Sequence, residues 1–309
     1  MSFEFKTFSE MLSVLSTDEK CREYLELTRW KDEPECPHCR NKKSYKLKTK
    51  GEFKGLYKCS ECKNRFTVTV GTIFEGSHIG LRKWFIAIHI FSTNKKGISS
   101  HQLASDLGIT QKSAWYMLSR IRHLYQQKDF KEESEISYVD ETFVGGKNKN
   151  RHKDKKVENS QGRSFKDKTP VFGLIQNGKV YTEVIQDTKA RTLKPLVKKY
   201  VEKGTTLVSD EWLGYHGLSS IYNHQIVNHR IKQYSNNGYS TNNVENFWSH
   251  LKRGIFGVYH QVSRKHLQKY ADEYSFRFNN RKINTKDRFN LSLLNSNVGR
   301  LKYKDLIAN

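Results

Sequence analysis

The chain has 309 residues, in which 55 Lys and Arg stand against 32 Asp and Glu, a formal charge of +23. That length allows two or three domains with sizeable cores, and that charge costs self-repulsion which a polyanionic partner relieves, nucleic acid first and an anionic membrane surface second. There is no amino-terminal signal pattern and no apolar run of the roughly 18 residues that a span needs, so a soluble cytoplasmic protein with no membrane partner is expected.

Residues 1–30 read as two helices. Phe3, Phe5, Phe8, Met11, Leu12 and Leu15 form an apolar face, and Ser16 with Glu19 makes a capping-box signature for a second helix through Leu27. That helix holds Cys21, read as a small buried hydrophobe. The other four cysteines form Cys36-Pro-His-Cys39 and Cys59-Ser-Glu-Cys62, with 19 residues between the pairs. Two such pairs at this spacing predict a zinc ribbon over 31–75, its four thiolates closing a structural Zn²⁺ site, with His38 read as a surface residue before an alternative ligand. The interval reads as a hairpin turning at Lys50-Gly51. Lys42, Lys43, Lys46, Lys48, Lys50, Lys54 and Lys58 make it basic, which fits phosphate contact or a solvated face equally.

LRKWFIAIHIF is a helix, and ISSHQLASDLGITQKSAWYMLSRIRHLY has the form of a helix-turn-helix, so residues 76–127 are expected to bind DNA. Leu103, Ala104 and Leu107 build its first helix, Gly108 the turn, Ile109 the plug and Thr110 the cap of the second. Ala114, Met117, Leu118 and Ile121 face inward. Gln111, Lys112, Ser113 and Tyr116 are left outward near the helix start, where a recognition helix meets base edges.

The polar stretch QQKDFKEESE marks a boundary, after which strand and helix signals alternate as in a mixed sheet with helices on its faces. Two apolar runs close on acidic pairs: ISYVDE, a first strand ending at Asp140 beside Glu141, and TTLVSDE, ending at Asp210 and Glu211. Between them a loop over 145–168 carries nine Lys or Arg, at 147, 149, 151, 153, 155, 156, 163, 166 and 168, and reads as a phosphate-binding arm or a solvated loop. TPVFGLIQ and KVYTEVIQ pair through Asn177-Gly178, ARTLKPLVKKYVEKG is a helix, and HQIVNH is a further strand. EWLGY reads as the opening of a helix, with Asp210 as its cap on the simplest account.

In TNNVENFWSHLKR, Val244, Phe247, Trp248 and Leu251 make a buried helical stripe, and Glu245 and Lys252 share one face at its edge. Residue chemistry alone leaves that pair as a solvated rim or the edge of a metal site. Alternation along a strand admits one member of each acidic pair to a shared site without saying which. Trp212 and Trp248 read as core. A last helix places Leu267, Tyr270, Ala271, Tyr274 and Phe278 on one side, with Arg277, Arg281 and Lys282 toward DNA or solvent.

In this order the blocks resemble DDE transposases of bacterial insertion sequences, in the group that joins a zinc ribbon and helix-turn-helix to an RNase H-like core, the insertion-sequence family numbered fifteen ninety-five. CREYLELTRWKDEPECPHC is similar to that group's opening, and VDETFVGGKNKNRHK, SDEWLGYHGL, IVNH and TNNVENFWSHLKRGIFGVYHQVSRKHLQKYADEYSFRFNNRK to its later blocks, from about Cys21 to Lys282. The resemblance implies a multidomain chain with an α/β RNase H-like core over 128–290 and a tail over 291–309. It assigns the catalytic triad to Asp140, Asp210 and Glu245 and leaves Glu141 and Glu211 as supporting or surface groups. Lys252 matches the basic residue seven after the acid, and with Arg253 it is expected on DNA. Ser240 stands where many members carry His, and Asn246 where Gly is common.

Three converging carboxylates suit Mg²⁺ or Mn²⁺, two ions serving in-line displacement at a phosphodiester. The implied partners are double-stranded DNA, as terminal inverted repeats and as target, and a second copy of the chain, in a homodimer or higher oligomer at the bacterial nucleoid. Two other readings stay open: a related RNase H-like nuclease or domesticated recombinase, and a zinc-ribbon and helix-turn-helix DNA-binding regulator.

Overall fold

Two threonine hydroxyls start the fold. Thr7 accepts from the Glu10 N–H at the head of α1 (Phe8–Val14), where Glu10 completes a capping box, and Thr17 accepts from Lys20 at the head of α2 (Asp18–Trp30). The box expected at Ser16 is therefore displaced, because the Thr17 hydroxyl takes the cap and Glu19 pairs with Arg22. The computed structural model describes residues 3–308 except 32, 49, 52, 54, 128, 129, 131, 146–151, 159–163, 165, 166, 229, 230, 232–234 and 237. Lys54 of the basic ribbon, Lys147, Lys149, Arg151, Arg163 and Lys166 of the basic loop and His229 of the last expected strand thus lie outside the described residues. The chain divides into residues 1–125 with 282–309, and residues 126–281.

In the first unit β1 (Ser44–Lys46), β2 (Tyr57–Cys59) and β3 (Arg65–Phe66) form an antiparallel sheet in that order, β1 and β2 being the expected hairpin. Three helices follow, α3 (Leu81–Thr93), α4 (Ser100–Leu107) and α5 (Gln111–His123). Gly108 adopts φ +58° and ends α4, and Thr110 accepts from Ser113 to start α5. Ala114, Met117, Leu118 and Ile121 are buried, as is Cys21, whose thiol burial pushes up to about 12.

The second unit is built on β4 (Ile136–Gly145), β5 (Lys168–Gln176), β6 (Lys179–Val184), α6 (Ala190–Tyr200), β7 (Thr206–Asp210), β8 (Asn223–Val227), α7 (Asn242–Gly254) and α8 (Arg264–Asn279). Asn177 and Gly178, at φ +48° and +72°, turn β5 tightly into β6. The sheet order is β6-β5-β4-β7-β8, antiparallel on the β5 side of β4 and parallel on the β7 side. This mixed sheet with its first strand central is RNase H-like.

β4 does not end at Asp140, because Glu141 to Gly145 continue the ladder with β5 up to Lys168. On its other edge β4 pairs with β7 only over Ile136–Tyr138, so Asp140 lies beyond the point where the strands are joined. Side chains alternate accordingly. Val139, Phe172 and Leu174 pack with Leu193 and Val197 of α6, whereas Val144, Val171 and Ile175 pack with Val244, Phe247 and Leu251 of α7 and Leu267 and Tyr274 of α8. The helix expected after Asp210 is instead two single turns, Leu213–Tyr215 and Leu218–Ser220, with Gly217 at φ +81° between them. Arg277, expected toward DNA or solvent, is buried against Glu273 at 2.7 Å, and the Tyr259 hydroxyl donates to the same carboxylate. A charge with no water around it needs that partner.

The carboxy-terminal segment departs from the expected tail. α9 (Thr285–Leu294) and α10 (Tyr303–Ile307) belong to the first unit, and the second closes at residue 281. Phe289 is fully buried there among the rings of Phe5, Tyr24 and Phe85. Phe289→Ala should therefore cost about 3–5 kcal/mol, seen as a lower thermal midpoint and as new proteolytic cleavage within residues 1–125.

Candidate functional site

Asp140 and Asp210 reach one place because β7 stops where β4 continues. Carboxylate oxygens of Asp140, Glu141 and Asp210 all lie within 4.8 Å of one another. They line a cleft of about 320 Å³ with Thr142, Thr241, Glu245, Trp248, Ser249 and Lys252. Glu141 corrects the expectation that one acid of each pair enters. It points to the α6 face, where the Tyr215 hydroxyl donates to it at 2.8 Å, yet with no β7 residue beyond Asp210 to part the two faces its carboxylate still reaches the cluster. Glu211 is half-buried and is not among the cleft-lining residues. Burial, then the charges of Glu141 and Asp210, hold the Asp140 carboxyl well above the ordinary carboxylate range. Asp210 also accepts from the Trp212 backbone N–H at 3.0 Å, a local turn bond in place of the expected helix cap, since the single turn that follows starts at Trp212 with no side-chain cap.

α7 supplies the other wall. Val244, Phe247, Trp248 and Leu251 are buried as the stripe predicts, which turns Glu245 and Lys252 to the cleft. The Thr241 hydroxyl donates to Glu245 Oε1 at 2.9 Å. Lys252 is half-buried; burial lowers its ammonium, with Asp140 acting against and Lys168 with that effect. Arg253 is exposed and donates to the Ser249 carbonyl of its own helix. Trp248, read from sequence as core, also donates from its indole to Asp140 Oδ2 at 2.9 Å. The signal for it was Gly173, an isolated glycine within an apolar strand, which marks a close approach. An all-oxygen donor set in which burial and neighbouring carboxylates disfavour the charge on Asp140 fits a hard divalent cation.

In the first unit the four cysteine sulfurs lie within 4.8 Å of one another, with Cys36–Cys62 at 3.6 Å and Cys39–Cys59 at 3.5 Å. Zn–S bonds of about 2.3 Å set tetrahedral sulfurs about 3.8 Å apart, so the four fit Zn²⁺. His38 is exposed, outside this cluster. On α5, Gln111 is exposed and donates to Ser100, and the Ser113 hydroxyl accepts from Thr110. Lys112 and Tyr116 do not simply face outward. Lys112 stands 5.3 Å over the Tyr303 ring, and Tyr116, half-buried, donates to the Leu301 carbonyl and meets Tyr303 edge to face, because the carboxy-terminal segment lies along this helix.

Residues 134–279 match the ISXO2-like transposase domain and residues 16–65 the transposase zinc-ribbon domain. An uncharacterized protein in transposable element ISH50 of Halobacterium salinarum is 24% identical over 277 residues, 86% of this chain and 92% of the relative. An uncharacterized transposase-like protein of Haemophilus influenzae is 31% identical over 106 residues, 34% of this chain and 85% of the relative. The Mos1 transposase paired-end complex with left transposon end aligns over 71% of this chain and 80% of its own at 13% identity and a TM-score of 0.27. A pre-cleavage Mos1 transpososome gives 66%, 75%, 12% and 0.26.

Two outcomes follow from the site's electrostatics and sulfur geometry. A carboxyl whose folded pKa lies above its unfolded one stabilises the fold at low pH and loses that contribution as pH rises through the folded value. Asp140→Asn should therefore raise the thermal midpoint of the metal-free protein at neutral pH, by about 2–4 °C per kcal/mol of repulsion removed, and the gain should vanish in acid. Elemental analysis should find one zinc per chain, lost with Cys59→Ser.

Proposed function

The chain belongs to the ISXO2-like transposase family, and from that premise we propose that it is a metal-dependent DNA transposase which cuts the ends of an insertion sequence and joins them to target DNA. The observation that carries this reading is the meeting of Asp140, from the middle of the central strand, with Asp210, from the end of its parallel neighbour, in a cleft that α7 lines with Glu245 and Lys252. In this reading Asp140, Asp210 and Glu245 are the catalytic acids. Two Mg²⁺ or Mn²⁺ ions held by them would supply electrophilic activation for in-line attack on phosphorus.

The chain's own groups do the rest. Thr241 restrains the Glu245 carboxylate, and Lys252 offers the cleft a cation for a phosphate oxygen, one whose half-burial strengthens the contact. Water attacks the phosphodiester at the element's end and the 3′ oxygen leaves. The freed 3′-hydroxyl then attacks a target phosphodiester, whose own 3′ oxygen leaves in turn. Both steps are the same displacement, so one set of acids serves both. Gln111, Lys112, Ser113 and Tyr116 on α5, with the ribbon lysines, would engage the terminal repeats, and pairing two ends calls for at least two copies of the chain.

The test is nicking of a duplex that carries the element's terminal repeats. Mg²⁺-dependent nicking should fall to background in Asp140→Ala, Asp210→Ala and Glu245→Gln while DNA binding survives. Lys252→Ala should reduce the salt dependence of binding by about one phosphate contact. Binding without nicking in the parent would leave a DNA-binding regulator, and nicking without joining of a pre-cut end to a plasmid would leave a nuclease.

A further inference from the structure

Trp248 stands one turn after Glu245 on α7 and is 4% exposed, packed between that helix and the sheet. Its indole N–H, a donor only, meets Asp140 Oδ2 at 2.9 Å. To get there the ring crosses β5 at Gly173, the residue directly opposite Asp140 in the antiparallel register. A Cβ on Gly173 would come within 2.5 Å of Trp248 Cζ2 and 2.7 Å of Cη2, atoms of a rigid ring and not the far end of a flexible side chain. Gly173 is not among the positive-φ glycines, so its missing side chain provides space for the ring and not backbone freedom.

We propose that Trp248 is a positioning residue for Asp140, and that Gly173 exists at its place to admit the indole. The proposal rests on the reading of the acidic cleft as a divalent-cation site. The hydrogen bond occupies one acceptor direction of Oδ2 and so sets the rotation of the carboxylate. Because Trp248 and Glu245 share one helix, the same bond fixes the distance at which Glu245 is presented to β4. Partners of this kind, one shell out from a ligating oxygen, govern cation affinity.

The test uses the full chain and Mn²⁺ alone, with free Mn²⁺ counted by its electron paramagnetic resonance signal. Trp248→Phe keeps a ring in the core and removes the donor. Its Mn²⁺ affinity is expected to fall by about 10–100-fold, with metal-free binding to terminal-repeat DNA unchanged. Gly173→Ala keeps the indole and displaces it, and it should give a similar fall that disappears in the Trp248→Phe background. Unchanged Mn²⁺ affinity in a Trp248→Phe chain with the parent's thermal midpoint overturns the proposal, as does full additivity of the two substitutions. If Trp248→Phe does not fold, unchanged affinity in Gly173→Ala overturns it instead. Mn²⁺ binding lost in Asp140→Ala but intact in Trp248→Phe removes the tether alone. A parent with no Mn²⁺ binding sensitive to Asp140→Ala removes the cation site, and both readings with it.

Discussion

Negative charge crowded into one cleft is the constraint on which the second unit is built. Two carboxylates about 4 Å apart repel by about 4 kcal/mol at an effective dielectric near 20, and here three lie within 4.8 Å. A loose scaffold would let them separate. β4 instead holds Asp140 and Glu141 by pairing along nine residues with β5, and β7 holds Asp210 between β4 and β8. The buried stripe of α7 presses a further acid, Glu245, and a cation, Lys252, to the same opening. Within the chain the crowding shows in the Asp140 carboxyl, shifted upward by burial and by its acidic neighbours, and the Lys252 ammonium at the cleft acts against it. A divalent cation would relieve it more fully, which is why the arrangement reads as a site and not as a defect.

The first unit meets a different shortage. Its three strands comprise only eight residues, too few to bury a core of their own. Trp30 of α2 closes over Tyr57 and Phe66 at ring separations of 5.1 and 5.8 Å, and the four thiols gather within 4.8 Å of one another. One borrowed tryptophan and a thiol cluster that fits a metal stand in for the apolar layer that a larger domain would grow.

Several of these features were legible in the residues alone, for physical reasons. Cysteine spacing states a ligand set directly, Asn177-Gly178 states a turn, and the period of Val244, Phe247, Trp248 and Leu251 states which side of α7 is buried. Only the resemblance singles out the aspartates, and both line the cleft. What stayed hidden depends on where neighbouring strands end. That β4 runs past Asp140 while β7 stops at Asp210 is a matter of register, and it brings Glu141 to the cluster against the alternation rule. Arg277 escapes a hydropathy count because its partner, Glu273, lies a turn earlier on the same buried face, where an ion pair leaves no apolar signal. Trp248 shows in the sequence only as bulk, since an indole's donor counts only once an acceptor has been placed, here Asp140 Oδ2.

The return of α9 to the first unit changes how the chain can be made. Residues 1–125 emerge from the ribosome long before Phe289, yet Phe5, Tyr24 and Phe85 need that ring to complete their packing. Synthesis that aborts anywhere between them leaves an amino-terminal fragment with an unfinished interior. An unfinished interior of that kind leaves apolar rings open to water and makes the fragment an early target for proteolysis.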